Sequence, residues 1–593
     1  MSLDPKTLDL LTAKDNLIEA QWVFPDTIIA LEARGGDQWG VVALAGELPF
    51  LESFPPIGSS LPFAGQLVAA GSSLFAAGSD ARIYNLKCSE SWESGGPATD
   101  LAVDKNGFLT WVGFDAALQV DTLYRRTRAG TEKLLNTDDF MRHVQWHPQR
   151  DQCIFLQWPR DHLPWHTAEL HVWSSETGTL QRLNPPGLDN HPCGEALFSP
   201  SGDTLAATFL TGDFFQVWLY KFRTQNWIQI SFEAREHSTP MRRSSRRTLA
   251  FGDETSLISA SSHKAFWHLE AYNFSGASRI IKSAFTEFSN IQINRQTGDL
   301  LTLASALTHP PQVVTFHQDH RVWRQKQIKD RNATRIKPEP MTWATDTGET
   351  VHGILYRDPL AKGPSPLIIP VHGGPTDAVH ATWPSKALAF VQQGYAVLYV
   401  NYRGSWGYGY DYHQSLAGHW GHKEILDCVT AVRSLSESGW IDPGRVGLWG
   451  GGTASFTVLW ALIRYPETFQ AGVAVFPLFD LIHHFHLCSE AERTELLWAL
   501  GMGSKEDLIV RSPIHAIRRL RRPLCLFSGE LDKRVHSEHL LQVSQHMSEL
   551  HVPLWSTVYP GEARSWRKHS TYIDYYSKVA GFFDRFLRFR GQG

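Results

Sequence analysis

Two stretches carry residues set out for acyl-transfer chemistry. The first is Arg445-Val-Gly-Leu-Trp-Gly-Gly-Gly-Thr-Ala-Ser-Phe456, continuing to Arg464. Val446, Leu448 and Trp449 supply a short apolar strand, and Phe456, Leu459, Trp460 and Ile463 recur at helical spacing. Between them Gly450, Gly451 and Gly452 allow a turn too tight for a Cβ. Strand, sharp turn and helix is the setting of a nucleophile elbow, G-x-S-x-G, which presents a serine at its tip. On that template Gly450 is the first glycine, Ala454 stands at the last, and Gly452 occupies the nucleophile position. The elbow is present and its serine is not. The second stretch, His372-Gly-Gly-Pro-Thr376, follows the apolar run Leu367-Ile-Ile-Pro-Val371. A Gly-Gly at the carboxyl end of a strand bares backbone N–H groups, the material of an oxyanion hole.

Other reactive side chains form weaker patterns. His483-His484-Phe485-His486, with Asp480 before and Cys488 after, could place Asp480, His483 and His484 on one helix face. A metal site usually draws ligands from a second segment as well, and none is evident, so this reads as a partly exposed helix face. His536 and His539, at i and i+3, read the same way, and no metal and no cofactor is expected. The Gly-rich elbow lacks the Lys-Ser/Thr of a phosphate loop. The six cysteines, Cys88, Cys153, Cys193, Cys428, Cys488 and Cys525, are scattered with no C-x-x-C pair. That usage points to a reducing compartment. Met1-Ser-Leu-Asp-Pro-Lys-Thr7 has no basic region followed by an apolar one, and no run of 18 apolar residues occurs. The expectation is a soluble, cytoplasmic protein.

The elements that must position these residues divide the chain. Its 593 residues are 42% hydrophobic and 20% charged, a globular composition with room for two large domains. A net charge of −4 gives no electrostatic footprint for nucleic acid or an anionic membrane, so neither is expected as a partner. Residues 1–20 read as a polar helix docking through Leu8, Leu11 and Leu17. From 21 to 330, short alternating runs are separated by Gly, Asp, Asn, Ser and Pro. The turns Asp104-Lys-Asn-Gly107, Trp146-His-Pro-Gln-Arg-Asp151, Phe198-Ser-Pro-Ser-Gly-Asp203, Phe251-Gly-Asp253 and Thr297-Gly-Asp299 each precede an apolar strand. Their spacing of roughly 45–50 residues is that of four-stranded propeller blades, and room upstream brings the expected count to seven. The 12% aromatic content, with 22 Trp, suits large buried sheets. From 331 to 593, strand-like runs alternate with helices near 385–393 and 422–438. That alternation predicts a mostly parallel, doubly wound sheet covered on both faces.

The motifs taken together resemble the prolyl oligopeptidase family of serine peptidases, in particular its acylaminoacyl-peptidase and dipeptidyl-peptidase-like branch. The resemblance rests on His372-Gly-Gly-Pro, Val400-Asn-Tyr-Arg-Gly-Ser-Trp-Gly-Tyr-Gly409, Trp420-Gly421, the elbow, Tyr465-Pro466, Arg511-Ser-Pro-Ile514, Ser528-Gly-Glu-Leu-Asp-Lys-Arg-Val535 and Tyr559-Pro-Gly-Glu562. In the first half, Asp161-His-Leu-Pro-Trp165 adds to it. It implies a β-propeller followed by an α/β-hydrolase, an active site between the two, and cleavage of short peptides. Carried over residue by residue, it implies the acid at Asp532, the nucleophile at Gly452 and the histidine at Arg564, with Gly373, Gly374 and the Thr453 N–H as the oxyanion hole. The acid and the hole are kept; the nucleophile and the base are not. Gly452 has nothing to attack with, and an arginine cannot accept a proton at neutral pH. As substitutes, Ser455 lies one turn into the helix, Thr453 is adjacent to a tip with one outward-facing position, and His569 lies five residues past the base position. The expectation is therefore a catalytically impaired homologue that binds a peptide or small carboxylate, with Arg564 and Asp532 in a bidentate ion pair. The alternatives are an active hydrolase using other residues and a propeller-based interaction scaffold. Oligomeric state is left open.

Overall fold

Alternating apolar and polar residues between tight polar turns build the first half of the chain. The computed structural model describes residues 17–588 apart from 25–26, 35–37, 46–66, 71–72, 78–81, 86–89, 95–97, 240–246, 317–320, 323–334, 502–504 and 567. It divides into two units, one over residues 15–326 and one from 327 onward.

In the first unit, seven antiparallel sheets are seen among the described residues, spanning 17–45, 67–93, 99–137, 140–183, 193–229, 249–281 and 287–322. Each is a meander of four strands, except the first, which has three. The first strand of each sheet touches the first strand of the next, and Leu17–Phe24 meets both Leu67–Ala70 and Glu287–Ile293. The ring is thereby closed, a seven-bladed β-propeller. A first strand such as Cys193–Phe198 is fully buried, while outer ones such as Thr131–Thr137 are largely exposed. Each turn picked out in the sequence joins the first two strands of a blade, and a side chain ties it. Asp104 accepts from the Asn106 and Phe108 N–H groups, His147 from Gln149 and Arg150, Asp253 from Thr255, and Asn294 from Gln296.

The expected N-terminal helix over 1–20 is corrected at its end. Leu17–Phe24 is a strand paired antiparallel with Thr27–Arg34. Ile18, Ala20 and Trp22 alternate with the polar Glu19 and Gln21, and a hairpin partner fixes that period over the helical one. Leu8 and Leu11 lie outside the described residues.

The second unit is an eight-stranded sheet: β1 Glu339–Ala344, β2 Thr350–Tyr356, β3 Ser365–Pro370, β4 Ala396–Asn401, β5 Ile441–Gly451, β6 Ala471–Val475, β7 Leu524–Gly529 and β8 Leu554–Tyr559. Their order is 1-2-4-3-5-6-7-8; β2 runs antiparallel to β1 and β4, and the rest are parallel. The helices that matter here are α1 Ser385–Val391, α2 Lys423–Glu437, α3 Thr453–Arg464, α4 Leu481–Leu487, α5 Glu490–Leu500, α6 Ser537–Glu549 and α7 His569–Phe583. The central strand β5 packs on both faces. Trp449 meets Phe390 of α1 and Tyr576 and Phe583 of α7, while Leu448 joins Cys428 of α2 and Phe456 and Leu459 of α3 in the main apolar cluster. Small residues set the spacing. A Cβ on Gly472 would fall 2.5 Å from Leu462, and one on Gly447 2.7 Å from Phe583. Among the described residues no helix is long and apolar enough to cross a membrane.

Candidate functional site

The elbow has the geometry its glycines predict. β5 ends at Gly451, α3 begins at Thr453, and Gly452 between them has φ 60° and ψ −122°. A side-chain-bearing residue in such a backbone region carries strain that glycine avoids. The turn is anchored by the Gly452 N–H, which donates to Val475 O at 2.9 Å. Gly450 is held against α3 so closely that a Cβ there would lie 2.5 Å from the Ala454 carbonyl oxygen.

Arg564 stands over the tip. Its Nη2 is 3.2 Å from where a Cβ on Gly452 would be. The guanidinium therefore fills the space into which a nucleophilic side chain at that position would project. Behind it, Asp532 is buried, and its Oδ2 lies 3.7 Å from Arg564 Nη1. This ion pair is present but not bidentate. Asp532 Oδ1 accepts the Arg534 N–H at 2.9 Å, and Oδ2 has no hydrogen bond. The fork is aimed at Gly452 instead, which leaves one long contact with the carboxylate. Burial lowers the Arg564 pKa, with Asp532 pulling it back up.

The His372-Gly-Gly-Pro loop meets the elbow through a side chain. The Gly374 N–H donates to Thr453 Oγ1 at 2.9 Å, and a Cβ on Gly373 would come within 3.3 Å of the same oxygen. Tyr402 holds the loop from below: its hydroxyl donates to Pro375 O, and its ring stacks on His372 at 4.1 Å. Thr376 donates to Glu495 Oε1 and ties the loop to α5.

A cavity of about 250 Å³ opens here, lined in part by Gly374, Gly452, Thr453, His484, Arg534 and Arg564, with Trp420 and Leu496 as its apolar wall. Arg534 is committed, since its Nη1 and Nη2 donate to the two oxygens of Glu492 at 2.9 Å each. Burial works against ionisation of Glu492, but Arg534 and the Ser489 N–H pull its pKa down to about 2. Sequence reasoning missed His484. Its stretch was read as a partly exposed helix face, yet His484 is 4% exposed and its Nδ1 has no hydrogen-bond partner. Burial pushes its pKa down to about 3, and Arg564 and Arg534 add to the shift. The ring is neutral at physiological pH.

Of the neighbours weighed as substitutes, Thr453 lines the cavity, while Ser455 and His569 do not. Ser455 is buried; its hydroxyl donates to Gly452 O and accepts the Leu478 N–H. His569 is exposed at the start of α7 and is not part of the cavity lining.

A doubly wound sheet in this strand order, with a strand–turn–helix elbow after β5, defines an α/β-hydrolase fold. Residues 382–590 match the prolyl oligopeptidase family, and the C-terminal unit is a domain of that family. The chain is 29% identical over 217 residues to the acylamino-acid-releasing enzyme of Homo sapiens, covering 34% of this chain and 29% of that protein. It is 32% identical over 219 residues to the uncharacterized peptidase YuxL of Bacillus subtilis (strain 168), covering 36% and 33%. These matches thus span a third or less of the relatives' lengths. A Mycobacterium tuberculosis puromycin-hydrolyzing peptidase superposes over 99% of this chain and 96% of its own, with a TM-score of 0.86 at 17% identity. That likeness extends the shared fold to the propeller half.

Proposed function

We propose that this homologue of prolyl oligopeptidase-family peptidases is catalytically impaired and binds a peptide or another small carboxylate in the cavity beside Gly452. The observation that carries this reading is the guanidinium of Arg564, 3.2 Å from the Cβ position of Gly452. A cation stands where the triad chemistry needs a nucleophile's side chain and a base that can take its proton. In this reading Asp532 is the retained acid, Gly452 and Arg564 hold the nucleophile and base positions, and Gly373, Gly374 and Thr453 are the remains of the oxyanion hole. One of its donors is already used, since Thr453 Oγ1 accepts the Gly374 N–H.

The same groups suit a carboxylate. Arg564 makes one long contact with Asp532 and keeps N–H donors for a second anion. The Thr453 hydroxyl, which accepts from Gly374, has its proton to donate. Trp420 and Leu496 offer an apolar wall for the ligand's side chain. Among the described residues, five buried, unpaired cysteines are in keeping with a reducing, cytoplasmic setting. Calorimetry with N-acetyl amino acids and dipeptides tests the reading. Binding to the parent chain and its loss in Arg564→Ala support it; equal binding by both removes Arg564 from the site.

The relatives' names denote peptidases, which favours an active hydrolase as the second reading. Such an enzyme would need Thr453 as its nucleophile, with the neutral ring of His484 in the same cavity.

A further inference from the structure

Two arginines grip the backbone of the cavity's apolar wall, and neither is matched by a carboxylate. Trp420, whose ring lines the cavity, and Gly421 belong to the turn ahead of α2. Arg464, the last residue of α3, donates from Nη1 to Gly421 O. Arg511, the last residue of the helix Lys505–Arg511, donates from Nη1 to Trp420 O at 3.2 Å. The two guanidiniums thus sit on the carbonyls of consecutive residues. Trp460 joins them: its ring centroid lies 4.1 Å from the Arg464 guanidinium, and its Nε1 donates to Arg511 O at 3.0 Å. Both arginines are half-buried. Among the described residues neither has an ion-pair partner, and each guanidinium uses one of its five N–H donors.

We propose that Arg464, Arg511, His419 and His422 form a site for a tetrahedral oxyanion of the phosphate class. His419 and His422 lie exposed on the same turn, and among the described residues their rings make no hydrogen bond. Burial lowers both rings, and their strongest charged neighbours are all cations: Arg511, Arg403 and Lys423 for each, with Arg464 acting on His422. Lys423 and Arg403 are committed, the first to Ser415 O at 2.9 Å and the second to Asp427 and Glu349. The acid that acts on Arg464 is Glu424, which is fully buried and accepts the Gly421 N–H at 2.8 and 3.0 Å. Burial pushes its pKa up to about 7, so it offsets only part of the charge. A half-buried cation without a counter-charge is costly, and an anion relieves it. Guanidinium forks match the oxygens of phosphate or carboxylate alike. Here the donors come from three segments, α3, the helix ending at Arg511 and the turn at 419–422. Four tetrahedral oxygens can meet donors from three directions, whereas a carboxylate offers two oxygens in one plane.

The test titrates sodium sulfate, a dianion throughout the working pH range, into the full chain by calorimetry at an ionic strength held constant with sodium chloride. The same titration of Arg564→Ala keeps the elbow cavity from contributing. One equivalent bound by both chains is expected, with inorganic phosphate competing and acetate binding ~10-fold more weakly or less. Affinity should rise as pH falls from about 7.5 to about 6, because the anion raises His419, His422 and Glu424 towards their protonated forms. Arg464→Gln and Arg511→Gln should each weaken binding by ~10-fold or more, the effect of losing a charge-assisted hydrogen bond. Arg433→Gln, further along α2 and paired with Asp346, should leave it unchanged. His422→Gln, at an exposed position, should fold as the parent does and reduce the pH response. Absence of saturable sulfate binding by Arg564→Ala overturns the proposal. So does acetate binding as tightly as sulfate, or undiminished affinity in a folded Arg464→Gln/Arg511→Gln variant.

Discussion

Gly452 and Arg564 are mutually dependent. With Nη2 3.2 Å from the missing Cβ, any side chain at 452 has to share space with the guanidinium. The backbone at φ 60°, ψ −122° adds about 1–3 kcal/mol of strain for a non-glycine residue. Gly452→Ser should therefore fold with that loss, read by urea denaturation, and remain inactive, because a serine beside an arginine has no base. Robust turnover by this single variant would reveal a base already in place. His484 gives a pH signature. Its folded pKa of about 3 lies below the unfolded value of ~6.5, so the unfolded chain binds the extra proton between those limits. Stability should fall as pH drops through that window, by about 2 kcal/mol from pH 7 to 5 for this one group. His484→Gln should flatten the decline; an unchanged slope would mean the ring is not buried neutral. The glycines, the acid and the arginine were legible in the sequence, because a template fixes their positions along the chain. The burial of His484 was not. α4 is only two turns long, and packing rather than periodicity decides which of its three histidines turns inward.

At the scale of elements, three glycines bring the site together. Gly450 lets β5 meet α3, Gly472 lets β6 meet the same helix, and Gly529 closes β7 onto the segment that carries Arg564. A Cβ on Gly529 would fall 2.3 Å from the carbonyl oxygens of both Glu562 and Ala563, and backbone cannot yield as a side-chain tip can. Leu531 N–H donates to Glu562 O at 2.8 Å, so the acid-bearing and arginine-bearing segments move as one. Gly529→Ala should cost about 1–3 kcal/mol and weaken carboxylate binding by displacing Arg564 from Gly452. Undiminished affinity in that variant would show that the approach of these two segments does not position the arginine. The elbow could be read ahead because strand, turn and helix are consecutive. The approach of Arg464 and Arg511 to one turn could not, since nothing local in either stretch encodes the other.

For the whole molecule, the ring of blades closes at one seam, where Leu17–Phe24 touches the first strands of both the second and seventh sheets. Deleting residues 1–24 should lower the propeller's thermal transition and open its first and last sheets to limited proteolysis; an unaltered digest would mean the seam does not hold the ring. Five of the seven blades were legible from their polar turns, such as Asp104-Lys-Asn-Gly107 and Thr297-Gly-Asp299. The strand at Leu17 was not, because eight residues of alternation declare themselves only when paired. The central proposal is that this chain, whose C-terminal unit carries a prolyl oligopeptidase-family domain, does not hydrolyse peptides. Its most direct test is exposure of the purified full-length chain to a fluorophosphonate, with peptide mapping by mass spectrometry and an active serine hydrolase treated in parallel. The account expects no adduct anywhere in the elbow. An adduct on Thr453 or Ser455 would contradict it.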